Sequence, residues 1–182
     1  MSTTPTLANA TTGGPALGYP GDLADSTPHV IDTVQNESAT AIDFCVPVCP
    51  GTLAGAVKPV ANDTDAALCM GISMRDPTVL NASTGGVVNY PQYKELGLMK
   101  VGRIYAIAAE DVRDGDQVLI ISAAAQAQAT CFASSKGGVA GSGRVALKGA
   151  IWRAYPGASA TITAGTVGII EIINQNLGRT TT

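Results

Sequence analysis

From His29 onward, short apolar runs recur between turn residues: "HVIDTVQ", "AIDFCVPVC", "LCMGISM", "GRIYAIAA", "QVLIIS", "VALKGAIWRAY" and "GIIEIIN". Each is rich in Val and Ile and is bounded by Gly, Pro, Asn, Asp or Ser. Runs of this length and content predict strands, because β-branched side chains pack well on a pleated, half-buried surface. Their close spacing predicts an all-β fold, a single small β-barrel or jelly-roll-like sandwich. Helical periodicity is poor. Only the alanine-rich residues 123–129 and a turn near Tyr93 to Leu96 offer it, and in "AQAQATCF" the Ala/Gln alternation fits a period of two at least as well.

The ends differ from the middle. Residues 1–25, "MSTTPTLANATTGGPALGYPGDLAD", sustain neither period and read as an extended N-terminal arm. Residues 26–176 form the body, and residues 177–182 a flexible C-terminal tail. A chain of 182 residues makes one domain with extensions and can bury about 70% of its unfolded surface. That core is filled by Val, Ile, Ala and Leu, since the chain has one Trp, five Tyr and two Phe.

Charge and cysteine narrow the classes of partner. The net charge is −3 and the eleven Lys and Arg are scattered singly, so there is no basic field for a nucleic acid. Residues 117–135 carry no charge, but Gln117, Ser122, Gln126, Gln128 and Thr130 interrupt the apolar content that a membrane span needs. The first basic residue is Lys58, and Asp22 and Asp25 stand where an export signal would be basic, so the chain reads as made and kept in a cytoplasm. Cys45, Cys49, Cys69 and Cys131 sit among apolar neighbours at irregular spacing, and all four are expected to be free thiols. A disulfide between Cys45 and Cys49 would need a bend at Pro47, because same-face strand residues four apart lie about 13 Å apart.

The one dense charge cluster is in "AAEDVRDGDQVLI", with Glu110, Asp111, Asp114 and Asp116. As a calcium loop it fails: with Gly115 at loop position 6, Val112 and Ile121 fall where ligand oxygens are required. As a carboxylate pair for hydrolysis it lacks an apolar pocket to raise one pKa above the other. Asp114-Gly115 is a strong hairpin signal, and the carboxylates are expected to flank a solvated turn. "GGVAGSGR" lacks the strand, helix and Gly-Lys-Ser or Gly-Lys-Thr of a phosphate loop. The only histidine, His29, has no nucleophile or orienting group assembled around it. No catalytic residue, no cofactor and no metal site follows.

"GYPGDLAD" at residues 18–25 resembles the Gly-x-Pro-Gly-x-x-Ala-Asp opening of the structural cement, or capsid decoration, proteins of tailed bacteriophages. "LCMGISMRD", "MKVGRIYAIAAEDVRDGDQVLI", "GAIWRAY" and "GTVGIIEII" resemble further family segments in the same order, over residues 18–174. The chain departs from that pattern in its longer Thr-rich leader and in the Ala/Gly/Ser-rich residues 122–143. The resemblance implies a β-barrel or jelly-roll-like body on the outside of a virion. A terminal arm would reach over neighbouring subunits of the major capsid protein, and the body would associate with itself as a homodimer or homotrimer. It implies no catalytic residues. The apolar anchors available to such an arm are Leu7, Leu17, Tyr19, Pro20 and Leu23; the same residues would also suit an arm folded back on its own barrel. Two other classes stay open. One is a metal-dependent β-barrel enzyme using Asp114 and Asp116. The other is a ligand-binding or adhesive fibre or tail module presenting Trp152 and Tyr155.

Overall fold

A computed structural model describes residues 18–76, 89–122, 132–134 and 143–173. The elements are β1 (Val30–Asn36), β2 (Pro47–Pro50), β3 (Ala56–Pro59), α1 (Asp63–Ala67), β4 (Gly71–Ser73) and β5 (Glu95–Ile107). There follow β6 (Val112–Arg113), β7 (Gln117–Ile121), β8 (Phe132–Ser134), β9 (Arg144–Arg153), β10 (Thr161–Ile162) and β11 (Val167–Ile172). The fold is all-β and barrel-like, and the single turn of helix, α1, starts where the Asn62 side chain accepts the Asp65 N–H.

Two rings of strands share β5. In the first, β1 runs parallel to β3, and β3–β2, β2–β4, β4–β5 and β5–β1 are antiparallel, so hydrogen bonding returns to its start. In the second, the later half of β5 pairs with β11, then β9, β7 and β8 follow. This ring returns to the chain just after β5, where Ala108 bridges Phe132 and the Ala109 N–H donates to the Phe132 carbonyl at 2.8 Å. Closure removes the exposed edges that an open sheet would present.

Gly102 marks the change of partner. β5 pairs with β1 up to Val101 and with β11 from Gly102, and the β1 register shifts by a bulge between Val30 and Ile31. Gly102 has φ of 124°, and a Cβ there would lie 2.7 Å from the His29 Cβ. A strand can pass from one sheet to another only by such a bend.

The core is continuous through both rings and is built from small and branched side chains around few aromatics. Ile42, Val48, Ile72 and Leu98 fill the first ring, and Ile104, Ile120, Phe132, Trp152 and Ile170 the second. Trp152 is fully buried, and its indole N–H donates to the Ala133 carbonyl at 2.9 Å. Asn36 is also fully buried, but satisfied: its amide donates to the Thr40 and Tyr90 carbonyls and its oxygen accepts the Ser38 N–H.

Several local expectations change. "AIDFCVPVC" is not one strand: Ile42 makes a single bridge to Tyr90, and the strand begins only at Pro47. Cys45 between them has φ of 57°, held there because its N–H donates to the Ser73 carbonyl and its thiol to the Tyr105 carbonyl. The Asp114-Gly115 turn forms, with Gly115 at φ of 85°, but it is not a hairpin. β6 pairs with β10, and β7 with β8 and β9, so the turn is a corner between two sheets. The alanine-rich helical candidate at 123–129, which fits a strand period at least as well, lies outside the described residues. The other candidate, near Tyr93 to Leu96, is not helical: a turn at Gln92 and Tyr93 leads into β5, which begins at Glu95.

Cys45, Cys49 and Cys69 are free and buried, while Cys131 lies outside the described residues. Burial pushes each of the three thiols up to about 12. We expect them to resist iodoacetamide in the folded protein and to alkylate fully in denaturant without reductant, as read by intact mass. Gly102→Ala is expected to destabilise the fold by about 2–3 kcal/mol in urea titration, through left-handed strain and the His29 contact.

Candidate functional site

Residues 18–25, which carry the glycine- and aspartate-rich opening, lie along the second half of β5. The Gly21 N–H donates to the Tyr105 carbonyl at 2.8 Å, the Tyr105 N–H to the Asp22 carbonyl at 3.0 Å, and the Ala24 N–H to the Arg103 carbonyl at 2.9 Å. Leu23 bridges Ile104 antiparallel. A tight turn precedes this pairing, closed by the Asp22 N–H on the Tyr19 carbonyl and by the Tyr19 N–H on the Asp22 carboxylate.

Two arginines fasten the segment. The Arg75 guanidinium lies 3.4 Å from both carboxylate oxygens of Asp22 and 4.5 Å from the centre of the Tyr19 ring. The Arg103 Nη1 donates to Asp25 at 2.9 Å, while its Nε and Nη2 donate to Glu171 at 3.0 and 2.9 Å. Glu171 also accepts from the Arg153 Nε at 2.6 Å, and Arg153 in turn stands 3.7 Å from Asp114. The result is a ladder of alternating charge, Asp25, Arg103, Glu171, Arg153, Asp114. It crosses from the N-terminal segment over β5, β11 and β9 to the Asp-Gly corner.

The ladder sets its own protonation. Burial pushes Asp25 up, but the Thr27 N–H and then Arg103 outweigh it and hold the carboxyl below its usual range. Burial likewise pushes Glu171 up, and hydrogen bonds from Arg153 and Arg103 overcome it and hold that carboxyl down. Beside the ladder is a surface depression of about 330 Å³ lined by Ala24, Asp25, Arg103, Arg153, Tyr155 and Ile169, among others.

Of the arm anchors, Tyr19 is 54% exposed, Leu23 is 36% exposed and Pro20 is half-buried, all on this one segment. Leu7 and Leu17 lie outside the described residues. The four clustered carboxylates are each engaged in the framework. Glu110 accepts two bonds from Arg144, Asp111 accepts the Ala164 N–H, Asp114 the Ala154 N–H and Asp116 the Arg113 N–H. Among the described residues, no three His, Cys, Asp or Glu side chains group as metal ligands would. Trp152 is buried, whereas Tyr155 borders the depression, so the two do not form one surface platform. Sequence reasoning missed Arg75, Arg103, Arg153 and Glu171. The available signal was a single charge inside each apolar run, as in "GRI", "WRA" and "IEI".

The family described as structural cement protein (E217 gp24/Pam3 gp6) matches residues 8–173. The chain belongs to this family. A cement protein is a structural component of a phage virion, and its family is not an enzyme family. A search of curated proteins finds no match. A chain from the capsid of Myoviridae phage XM1 superposes with a TM-score of 0.63 at 14% identity, over 92% of this chain and 98% of its own, and so shares the fold. The head fibre gp8.5 N base of bacteriophage phi29 gives a TM-score of 0.39 at 9% identity, over 80% of this chain and 94% of its own, too low to carry an argument.

Replacing Arg103 by Met leaves Asp25 and Glu171 with fewer donors, and both carboxyls should titrate at higher pH. Because their folded pKa values lie below the unfolded ones, the stabilisation is present above the ordinary carboxylate range and is lost as pH falls through the folded values. We expect R103M to lose about 1–2 kcal/mol at neutral pH, discounted for partial exposure, and to lose less further stability than the parent between about pH 5 and 3. Thermal melts across that range are the check.

Proposed function

We propose that this cement protein decorates the outer surface of a tailed-phage capsid and clamps adjacent subunits of the major capsid protein, as a homodimer or homotrimer at symmetry axes. The observation that carries this reading is the fastening of residues 19–25 on β5. Three backbone hydrogen bonds and the Arg75 and Arg103 contacts hold the segment, so the chain before Gly18 starts from a fixed point on the body. Ordering a backbone costs about 1–2 kcal/mol per residue, and here that cost is already met at the root. Leu7 and Leu17 precede the root, and Tyr19, Pro20 and Leu23 sit on it with exposed apolar surface. Each large anchor returns on the order of 2 kcal/mol when a coat subunit covers it.

Several weak contacts engaged together give firm attachment without any single tight one, which suits a seam repeated over a shell. Nucleic acid and membrane are not partners in this reading, given the net charge of −3 and the scattered basic residues. The test removes residues 1–17 and keeps the fastened root. The truncated chain should keep its melting temperature and its mass in solution. It should occupy undecorated mature capsids at least about tenfold more weakly and fail to raise their resistance to heat, because a protein that binds only the intact shell stabilises it by mass action. Unchanged affinity and full thermal protection would place the docking surface on the barrel instead.

A further inference from the structure

At the far end of β5 from this root, two turns present large apolar side chains to solvent. Leu53, between β2 and β3, is 63% exposed, and Tyr93, just before β5, is 65% exposed. Both turns are stapled to the end of β1. The Glu37 carboxylate accepts the Thr52 N–H at 2.6 Å and the Leu53 N–H at 3.0 Å. The Tyr93 N–H donates to the Asn36 carbonyl at 2.6 Å, the Gln35 amide donates to the Tyr93 carbonyl at 3.0 Å, and the Gln92 amide donates to the Glu37 carbonyl at 3.0 Å.

Tyr93 is also strained. Its φ is 64°, and it is the third residue of a turn closed by the Lys94 N–H on the Pro91 carbonyl, a place that glycine or asparagine fills at lower cost when φ is positive. Tyr93 is the one exposed non-glycine residue with positive φ among those described, since Cys45 is buried. Folding alone would favour glycine here. A rigidly held, exposed tyrosine kept at the expense of backbone strain has the character of a binding hot spot.

We propose that the Leu53–Tyr93 tip is a second capsid contact, an apolar plug that seats in a neutral pocket of a different shell subunit from the one held by the N-terminal segment. This rests on the clamp reading, since a clamp needs two separated points of grip. The eight residue steps of β5 from Glu95 to Arg103 put roughly 25 Å of one strand between tip and root. Two side chains of this size cover on the order of 250 Å², far below the roughly 800 Å² per partner of a stable complex in solution. The tip alone is too small to hold two copies of the chain together, whereas a contact that adds to the grip of the root on a neighbouring shell subunit is well served by so small an area; the mass in solution separates the two occupants.

The test uses full-length Tyr93→Gly, Tyr93→Asn and Leu53→Ser, with three readouts. These are the melting temperature, the mass in solution, and co-sedimentation with undecorated mature shells of the coat protein encoded with this chain. Tyr93→Gly and Tyr93→Asn should melt at or above the parent temperature, and all three should bind shells at least about tenfold more weakly. The factor should be similar at about 0.05 and 0.5 M salt, because the plug is uncharged. Binding within about twofold of the parent for all three variants would overturn the tip as a contact. A lowered mass in solution with unchanged shell binding would do the same, by assigning the tip to contact between copies. If the parent itself fails to pellet with shells, the clamp reading falls and the tip falls with it. Loss on removing residues 1–17 without loss in the tip variants would leave the clamp reading standing and overturn only the tip.

Discussion

The backbone of β5 hydrogen-bonds to β1 and β4 in its first half and to β11 and residues 21–24 in its second. Every other feature of the molecule depends on that double use of one strand. The five-stranded ring closes through it, the second ring starts and ends beside it, and the N-terminal segment occupies the edge that β11 leaves open. Because β5 is paired on both edges over residues 97–99 and again over 103–105, no element that contacts it there can slide without breaking several bonds at once. The bend at Gly102 is what lets one strand serve two sheets, and the close approach of His29 leaves little room for a side chain there.

The charge ladder acts on the same strand from the outside. Exposed ion pairs contribute little one at a time, but here each arginine spans two carboxylates with bonds of 2.6 to 3.0 Å, except the 3.7 Å step to Asp114. The ladder ties residues that are far apart in sequence, Asp25, Arg103, Glu171 and Arg153, into one surface, and it joins the N-terminal segment to the second ring. A core of Val, Ile, Ala and Leu has few of the directional contacts that aromatics supply, chiefly the edge-on Phe44–Tyr90 pair and the Trp152 indole bond. Polar links of this kind, with the buried Asn36 and Ser73, then fix register and corners.

On the clamp reading proposed above, the chain adds to an assembled shell, and binding surfaces for that task gain from being formed in advance. The fastened root and the stapled tip both meet that condition. Each sets exposed apolar side chains on backbone held by hydrogen bonds from strands of the body. The two stand at opposite ends of β5, which makes the most constrained strand in the molecule the strut between them.

How much of this was legible in the chain follows from the range of the interactions involved. Strands β1, β4, β7, β9, β11 and the second half of β5 were visible because their apolar, β-branched runs are local facts, and the all-β class followed from their spacing; the first half of β5, residues 95–101, was not. The motif "GYPGDLAD" with the later family segments pointed to cement proteins, and in this chain the motif forms the turn at Tyr19–Asp22 and the pairing of residues 21–24 with β5. Strands β3, β6 and β10 were not visible, since two to four residues carry no period and their pairing comes from partners elsewhere in the chain. The Asp114-Gly115 turn was legible as a turn but not as a corner, because which strands pair across it is decided by β10 and β9. Nor could the sequence show that Arg103 and Arg153 share Glu171, or that Tyr93 holds a left-handed backbone. Those follow from hydrogen bonds between residues tens of positions apart, which exist only once the two rings have closed.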